Sequence, residues 1–166
     1  MLVKTGMADG MVAGAVNSSA NVLRSALQVI KTAPDTKVVS AFFLMIVPDC
    51  AYGENGTFVF SDCGLNEYPD EEKLAQIAVS SANSFRALVG EEPRVAMLSY
   101  SSRGSANSEH VDKVRHAAAI AKELAPELKL DGELQLDAAI VPAIGASKAP
   151  DSPIAGKANV LIFPNL

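Results

Sequence analysis

Two short stretches of this 166-residue sequence carry residue types that could hold an anion. Gly14-Ala15-Val16-Asn17-Ser18-Ser19 joins a strand-like run to a helical pattern, and Arg24 follows on the first turns of that helix. Free backbone N–H groups at a helix start, small residues that let an anion approach, and the hydroxyls of Ser18 and Ser19 together make a phosphate-type site. Arg24 would add a bidentate, permanently charged clamp. An ordinary serine cap beside a surface arginine uses the same residues, and pattern alone favours that plainer reading. The second stretch is Ser99-Tyr100-Ser101-Ser102-Arg103-Gly104-Ser105, again between a strand and a helix. Loops at the carboxyl ends of strands are where open α/β sheets bind ligands, so Ser101 and Arg103 could meet a phosphate or a nucleotide tail. A solvated loop that caps a helix accounts for them equally well. The loop lacks the Gly-Lys-Ser/Thr ending of a P-loop.

Other reactive types fit less well. Cys50, in Pro48-Asp49-Cys50 just past an apolar run, would be a nucleophile only if a nearby base lowered its pKa. Only His110 and His116 exist, on one helical pattern, and nothing in the sequence brings them to Cys50. A partly buried structural thiol is the expectation for Cys50 and for Cys63. The two histidines are spaced i, i+6 and so point to different helix faces, and no cluster has metal-ligand spacing. No metal is expected. Asp131, next to Gly132, and Asp137 read equally as catalytic carboxylates or as a turn and a helix cap. No Gly-x-Ser-x-Gly elbow suggests a hydrolase.

The elements that must carry these residues alternate between strand and helix. Ala20, Leu23, Leu27 and Ile30 share one helical face, with Asn17, Ser18 and Ser19 as caps and Pro34 as a barrier beyond. Leu74, Ile77, Ala78, Ser81, Phe85 and Leu88 line a second, opened by Asp70, Glu71 and Glu72 and closed by Gly90. Val111, Val114, Ala118 and Ala121 form a third after Ser108 and Glu109. A weaker fourth helix over Leu136–Ser147 should end or kink at Pro142. Strand-like runs fall at Met11–Ala15, Val38–Val47, Thr57–Ser61, Val95–Ser99 and Val160–Phe163, most of them apolar on both faces, as in strands buried between helix layers. The order predicts an α/β fold with a mostly parallel sheet. Only about ten residues separate Val38–Val47 from Thr57–Ser61, too few for a helical crossover, so that pair should be antiparallel and the sheet mixed.

Composition sets the outer limits. The chain is 49% hydrophobic and 20% charged, with 5% aromatics and no tryptophan, so Ala, Val, Leu and Ile must fill the core. A net charge of −5 offers no footprint for nucleic acid. The longest apolar run, Val38 to Val47, is of strand length and interrupted by Ser40, so no membrane partner is expected. Two cysteines without an export signal read as free thiols in the cytoplasm. Apolar strands lie close to both termini, which predicts that more chain flanks this one.

Several strings in order resemble the phosphate acetyl/butyryltransferase family. They are Ala8-Asp9-Gly10-Met11-Val12-Ala13-Gly14-Ala15, Arg24–Thr32, Pro93–Ser101, Asp131–Ala139 and Pro153–Leu166, which together span nearly the whole chain. The resemblance, closer to the acetyl-transferring members, implies a three-layer α/β/α fold like that of isocitrate and isopropylmalate dehydrogenases. It makes residues 1–166 a single α/β domain, mostly the second domain of a two-domain enzyme about twice as long, commonly a homodimer. Its substrates would be acetyl phosphate or phosphate and coenzyme A, the coenzyme serving as a substrate, with no cofactor. In the family a carboxylate deprotonates the thiol of coenzyme A, the thiolate attacks the acetyl carbonyl, and arginine and hydroxyl groups hold the phosphate. Arg24 matches a substrate-site arginine, and Ser18 and Ser19 match the hydroxyl-bearing helix start. Cys50 matches a cysteine near the cleft that takes no covalent part. Asn17 stands where many members carry histidine or threonine. The family's Ser-Arg pair and catalytic aspartate have no counterpart here, so this chain is expected to be a partial, inactive portion. A non-catalytic dimerisation or regulatory module of the same fold, or a butyryl- or propionyl-transferring enzyme, is the alternative.

Overall fold

Strand-forming runs become a sheet only where a partner strand and a covering layer exist, and this requirement sorts the elements in the computed structural model. It describes residues 1–34 and 36–166. The chain forms two compact units, Met1–Lys37 and Val38–Leu166.

The first unit contains one helix, α1 (Ser19–Val29), and loops. None of the α1 residues is buried. Its less exposed side chains are Val22, Leu23 and Ala26, with Ile30 just beyond, whereas Ala20 and Leu27 of the expected face are exposed. Leu2, Val3, Met11, Ala26, Val29 and Ile30 line a small apolar cavity of about 270 Å³ within this unit. The expected strand Met11–Ala15 does not form. Gly14 and Ala15 take φ of 135° and 55°, outside the extended region, and among the described residues no strand pairs with the segment.

The second unit is a five-stranded sheet with helices on both faces. Its elements are β1 (Phe42–Ile46), β2 (Thr57–Ser61), α2 (Glu71–Val89), β3 (Arg94–Leu98), α3 (Glu109–Leu124), β4 (Lys129–Leu134), α4 (Leu136–Ile140), α5 (Pro142–Lys148) and β5 (Val160–Ile162). The strand order is β1-β2-β5-β3-β4. β1 is antiparallel to β2, as its short connection requires, and the other neighbours are parallel. The last strand thus inserts between β2 and β3, and all three of its residues are buried.

On one face, Leu74, Ile77 and Phe85 of α2 and Val114 of α3 pack against Val59, Val95, Met97, Val160 and Ile162. On the other, Ala138 and Ala139 of α4 and the loop residues Ala149, Ile154 and Ala158 cover Phe58, Ala96, Leu98 and Leu161. The α2 signals act as read: Asp70 caps the Lys73 amide at 2.8 Å, and Gly90 closes the helix with φ 81°. Leu88, expected on the buried face, is 61% exposed. Pro142 divides the fourth helical pattern into α4 and α5, where Val141 leaves helical geometry.

Two further strands, both in this unit, differ from expectation. Val38–Val47 pairs only over Phe42–Ile46, because the Ala41 backbone serves Asp62, Ser61 and Cys63 instead. Nor is this strand covered by helix layers. It is an edge, and Phe43, Leu44, Met45, Ile46 and Val47 are all exposed. The opposite edge, β4, was not expected as a strand, since Lys129, Asp131, Gly132 and Glu133 break any apolar pattern. Charged side chains are how natural edges avoid further pairing. Among the described residues, no helix is long and apolar enough to cross a membrane.

Candidate active site

In an open parallel sheet the carboxyl ends of the strands leave loops that converge on one rim, where ligands bind. Here that rim gathers Asp62–Pro69 after β2, Phe163–Leu166 after β5, Ser99–Ser108 after β3 and Gln135 after β4.

At β2, the Asp62 carboxylate is buried and fully engaged. One oxygen accepts from the Gly64 and Leu65 amides at 2.7 and 2.9 Å, the other from Asn66 Nδ2 at 2.6 Å and the Ala41 amide at 3.3 Å. Burial alone would raise its pKa, but the bonds from Asn66, Gly64, Leu65 and Ala41 outweigh it and hold the group below its ordinary value. Asp62 organises the loop. It has no lone pair to spare for proton transfer. Burial and the adjacent Asp62 charge push the Cys63 thiol up, which disfavours the thiolate a nucleophile needs.

The Ser99–Ser105 loop does hold an anion, and the anion is the protein's own Glu133. Ser101 is buried, and its Oγ donates to Glu133 Oε1 at 2.8 Å. The Gly104 amide donates to the same oxygen at 2.9 Å, and Arg115 Nε donates to Oε2 at 2.9 Å. Arg103 and Gly104 take left-handed φ of 49° and 82°, which turns the Gly104 amide inward. Burial would raise the Glu133 pKa; bonds from Arg115, Gly104 and Ser101 prevail and lower it. Ser102 Oγ in turn accepts from the Gln135 amide at 2.8 Å, and Lys148 reaches Gln135 and Asp137 at 2.9 Å each.

Arg103 is directed elsewhere. Its guanidinium pairs with Asp131, whose other oxygen accepts from Lys122 Nζ at 2.9 Å. Asp131 was read as a catalytic acid or a turn residue; it is a strand residue, buried and doubly paired. On the far side of the rim, Lys113 Nζ donates to Pro164 O at 2.7 Å and Pro69 O at 3.3 Å, tying the chain after β5 to the approach to α2.

Cys50 lies at the other end of the sheet. It follows β1, which runs antiparallel, so it sits by the amino ends of the parallel strands. Arg94, which opens β3, reaches Gly53 O and Glu54 in the same loop at 3.2 and 3.1 Å. Cys50 packs against the second core, remote from Ser101 and Arg103 by the full length of the strands. Among the described residues, no group of His, Cys, Asp and Glu side chains is arranged to bind a metal ion. His116 Nδ1 instead meets Glu71 Oε1 at 2.8 Å.

Ser18, Ser19 and Arg24 belong to the first unit. Ser18 is the N-cap of α1, its Oγ accepting from the Asn21 amide at 3.3 Å. Ser19 opens the helix and is exposed, and Arg24 Nη1 donates to Asn21 Oδ1 at 2.9 Å. Arg24 therefore lies one turn along from an exposed helix N-terminus, with Nε and Nη2 unbonded among the described residues. The residues that sequence reading missed are Glu133, Arg115 and Lys122. The alternation of Lys129, Asp131 and Glu133 was the available signal for the first of these: three charges at i, i+2 read as a charged edge strand.

A mostly parallel five-stranded sheet with helices on both faces defines a protein of the doubly covered α/β class. Comparison narrows this. A family model described as phosphate acetyl/butaryl transferase matches residues 1–166, and the chain belongs to that family. It is 65% identical over its whole length to a phosphate acetyltransferase of Acetivibrio thermocellus and 52% to one of Bacillus subtilis, covering 50% and 49% of them. Among solved structures, a phosphotransacetylase from Streptococcus pyogenes superposes with a TM-score of 0.87 at 48% identity, over 99% of this chain and 49% of that one. The chain thus spans about half the length of the relatives it matches.

Proposed function

We propose that this chain supplies the α/β half of an enzyme that exchanges an acetyl group between acetyl phosphate and coenzyme A, and that turnover requires residues it does not contain. The observation that carries this reading is the match of the family model to all of residues 1–166, with a phosphate acetyltransferase at 65% identity. In the reaction the coenzyme A thiol loses its proton to a carboxylate. The thiolate then forms a C–S bond to the acetyl carbon, and the C–O bond to phosphate breaks. Negative charge grows on the carbonyl oxygen and on the leaving phosphate, where fixed positive groups lower the barrier most. Arg24, beside the exposed α1 N-terminus with Ser18 and Ser19, is the group we assign to the phosphate. Asp62, Asp131 and Glu133 are poor bases, since each carboxylate is buried, already bonded and held below its ordinary pKa. None of these three is assigned as the proton acceptor.

The working protein is proposed to be a cytoplasmic homodimer. The exposed apolar edge β1 is the surface that favours self-association. The chemistry is tested by mixing acetyl phosphate and coenzyme A and following thioester absorbance. This chain alone should give no turnover, and a chain extended to its relatives' length should be active. Arg24→Ala in the extended protein should lower kcat/KM by about 100-fold. Inactivity of the extended protein towards acetyl, propionyl and butyryl phosphates would overturn the transferase reading; unchanged kinetics in the variant would remove Arg24.

A further inference from the structure

The cation pair on Asp131 has more positive charge than its buried acid requires. Asp131 is 1% exposed, and a single paired cation would neutralise it. Two are present, one on each carboxylate oxygen, and both stay about half-exposed: Arg103 at 40% and Lys122 at 49%. The neighbouring Arg115 serves two acids, Glu133 and Asp112, so that trio keeps one negative charge, on Asp112, which is 52% exposed and pairs with Arg115 rather than with either cation on Asp131. Lys122 retains N–H donors beyond the one spent on Asp131, and Arg103 retains the other edges of its guanidinium. Because both cations touch the same carboxylate, they lie within the span of one tetrahedral anion.

The pair is also held in place before any ligand arrives. Arg103 sits on the left-handed turn that Glu133 fixes through Ser101 and Gly104, and Lys122 projects from the last turn of α3. Asp131 is anchored in β4, paired with Ala96 of β3. An anion here would thus immobilise little that is not already ordered, which is the condition for useful affinity at an exposed site.

We infer that Arg103 and Lys122, oriented by Asp131, form a binding subsite for a terminal phosphate dianion at the β4 edge. Two sources share that chemistry: free inorganic phosphate, and the 3′-phosphate that coenzyme A carries and dephospho-coenzyme A lacks. The subsite itself does not depend on the transferase reading; only the choice between sources touches it.

The test is a titration of the nitrogen-15-labelled chain at fixed ionic strength, reading the Arg103 side-chain Nε–H and the Gly104 amide by NMR. Inorganic phosphate should shift both signals saturably. Shifts with coenzyme A and none with dephospho-coenzyme A assign the subsite to the nucleotide tail. Shifts with inorganic phosphate and neither coenzyme form assign it to the free anion. Arg103→Gln and Lys122→Gln each leave one cation on Asp131, so both should fold, and each should weaken phosphate binding about tenfold. Signals that do not respond to inorganic phosphate, or folded variants that bind it as the parent does, would overturn the proposal.

Discussion

Glu133 illustrates how a single buried carboxylate organises the rim. It accepts from a serine hydroxyl, a backbone amide and an arginine, so its charge is worth more folded than unfolded. Its pKa in the fold is lowered from the ordinary 4.5. The sign follows directly. Above the ordinary value both states are ionised, and the stabilisation is fully present. As pH falls below it, the unfolded chain takes up a proton first, and the contribution is lost as pH falls through the lowered value. Glu133→Gln removes the charge and turns an amide group towards Arg115. It should cost about 2 kcal/mol at neutral pH in urea unfolding. The gap between the two proteins should shrink as the pH is taken progressively below the ordinary value of 4.5. A gap that stays constant with pH would mean that the Glu133 charge is not what holds the loop.

At the scale of elements, β4 depends on a glycine. A Cβ on Gly132 would lie 2.5 Å from Met97 Cβ and 2.9 Å from Met97 O, closer than packed atoms allow. Gly132→Ala should therefore destabilise by about 1–3 kcal/mol, as overpacking does. Gly64→Ala, with nothing within 4 Å of its added carbon, should be nearly neutral in the same thermal melt. Equal effects at the two sites would refute the steric account. The same strand marks the limit of what the sequence could reveal. Helices α2 and α3 were legible because burial repeats at their own period and Asp70, Gly90 and Ser108 cap them. Strands β2 and β3 were legible as apolar runs. β4 was not, because its polar side chains are buried by long-range pairing with Arg103, Arg115 and Lys122, and no local pattern encodes such partners. For the same reason the loop holding Ser101 could be recognised as an anion cradle while its occupant could not be named. Cys50, near the cleft by resemblance, lies on the antiparallel turn at the opposite end of the sheet from Ser101 and Arg103.

For the molecule as a whole, the two sheet edges differ in a way that bears on assembly. The β4 edge is closed by buried charges and their partners. The β1 edge offers Phe43, Leu44, Met45, Ile46 and Val47, 56%, 41%, 37%, 70% and 41% exposed, with no charge among them. An unblocked apolar edge of this kind invites pairing with another chain. If the proposed homodimer uses it, replacing side chains that are already exposed should cost the monomer little and the dimer much. Successive residues of a strand point to opposite faces, so Phe43 and Met45 report on one face and Leu44 and Ile46 on the other. In a chain extended to its relatives' length, sedimentation should find twice the monomer mass for the parent. At least one of the double variants Phe43→Lys/Met45→Lys and Leu44→Lys/Ile46→Lys should sediment as a monomer with unchanged circular dichroism. The face whose substitution separates the subunits is the face the partner covers. If both double variants remain dimeric, self-association uses another surface, and the apolar edge must be covered by the extended chain itself.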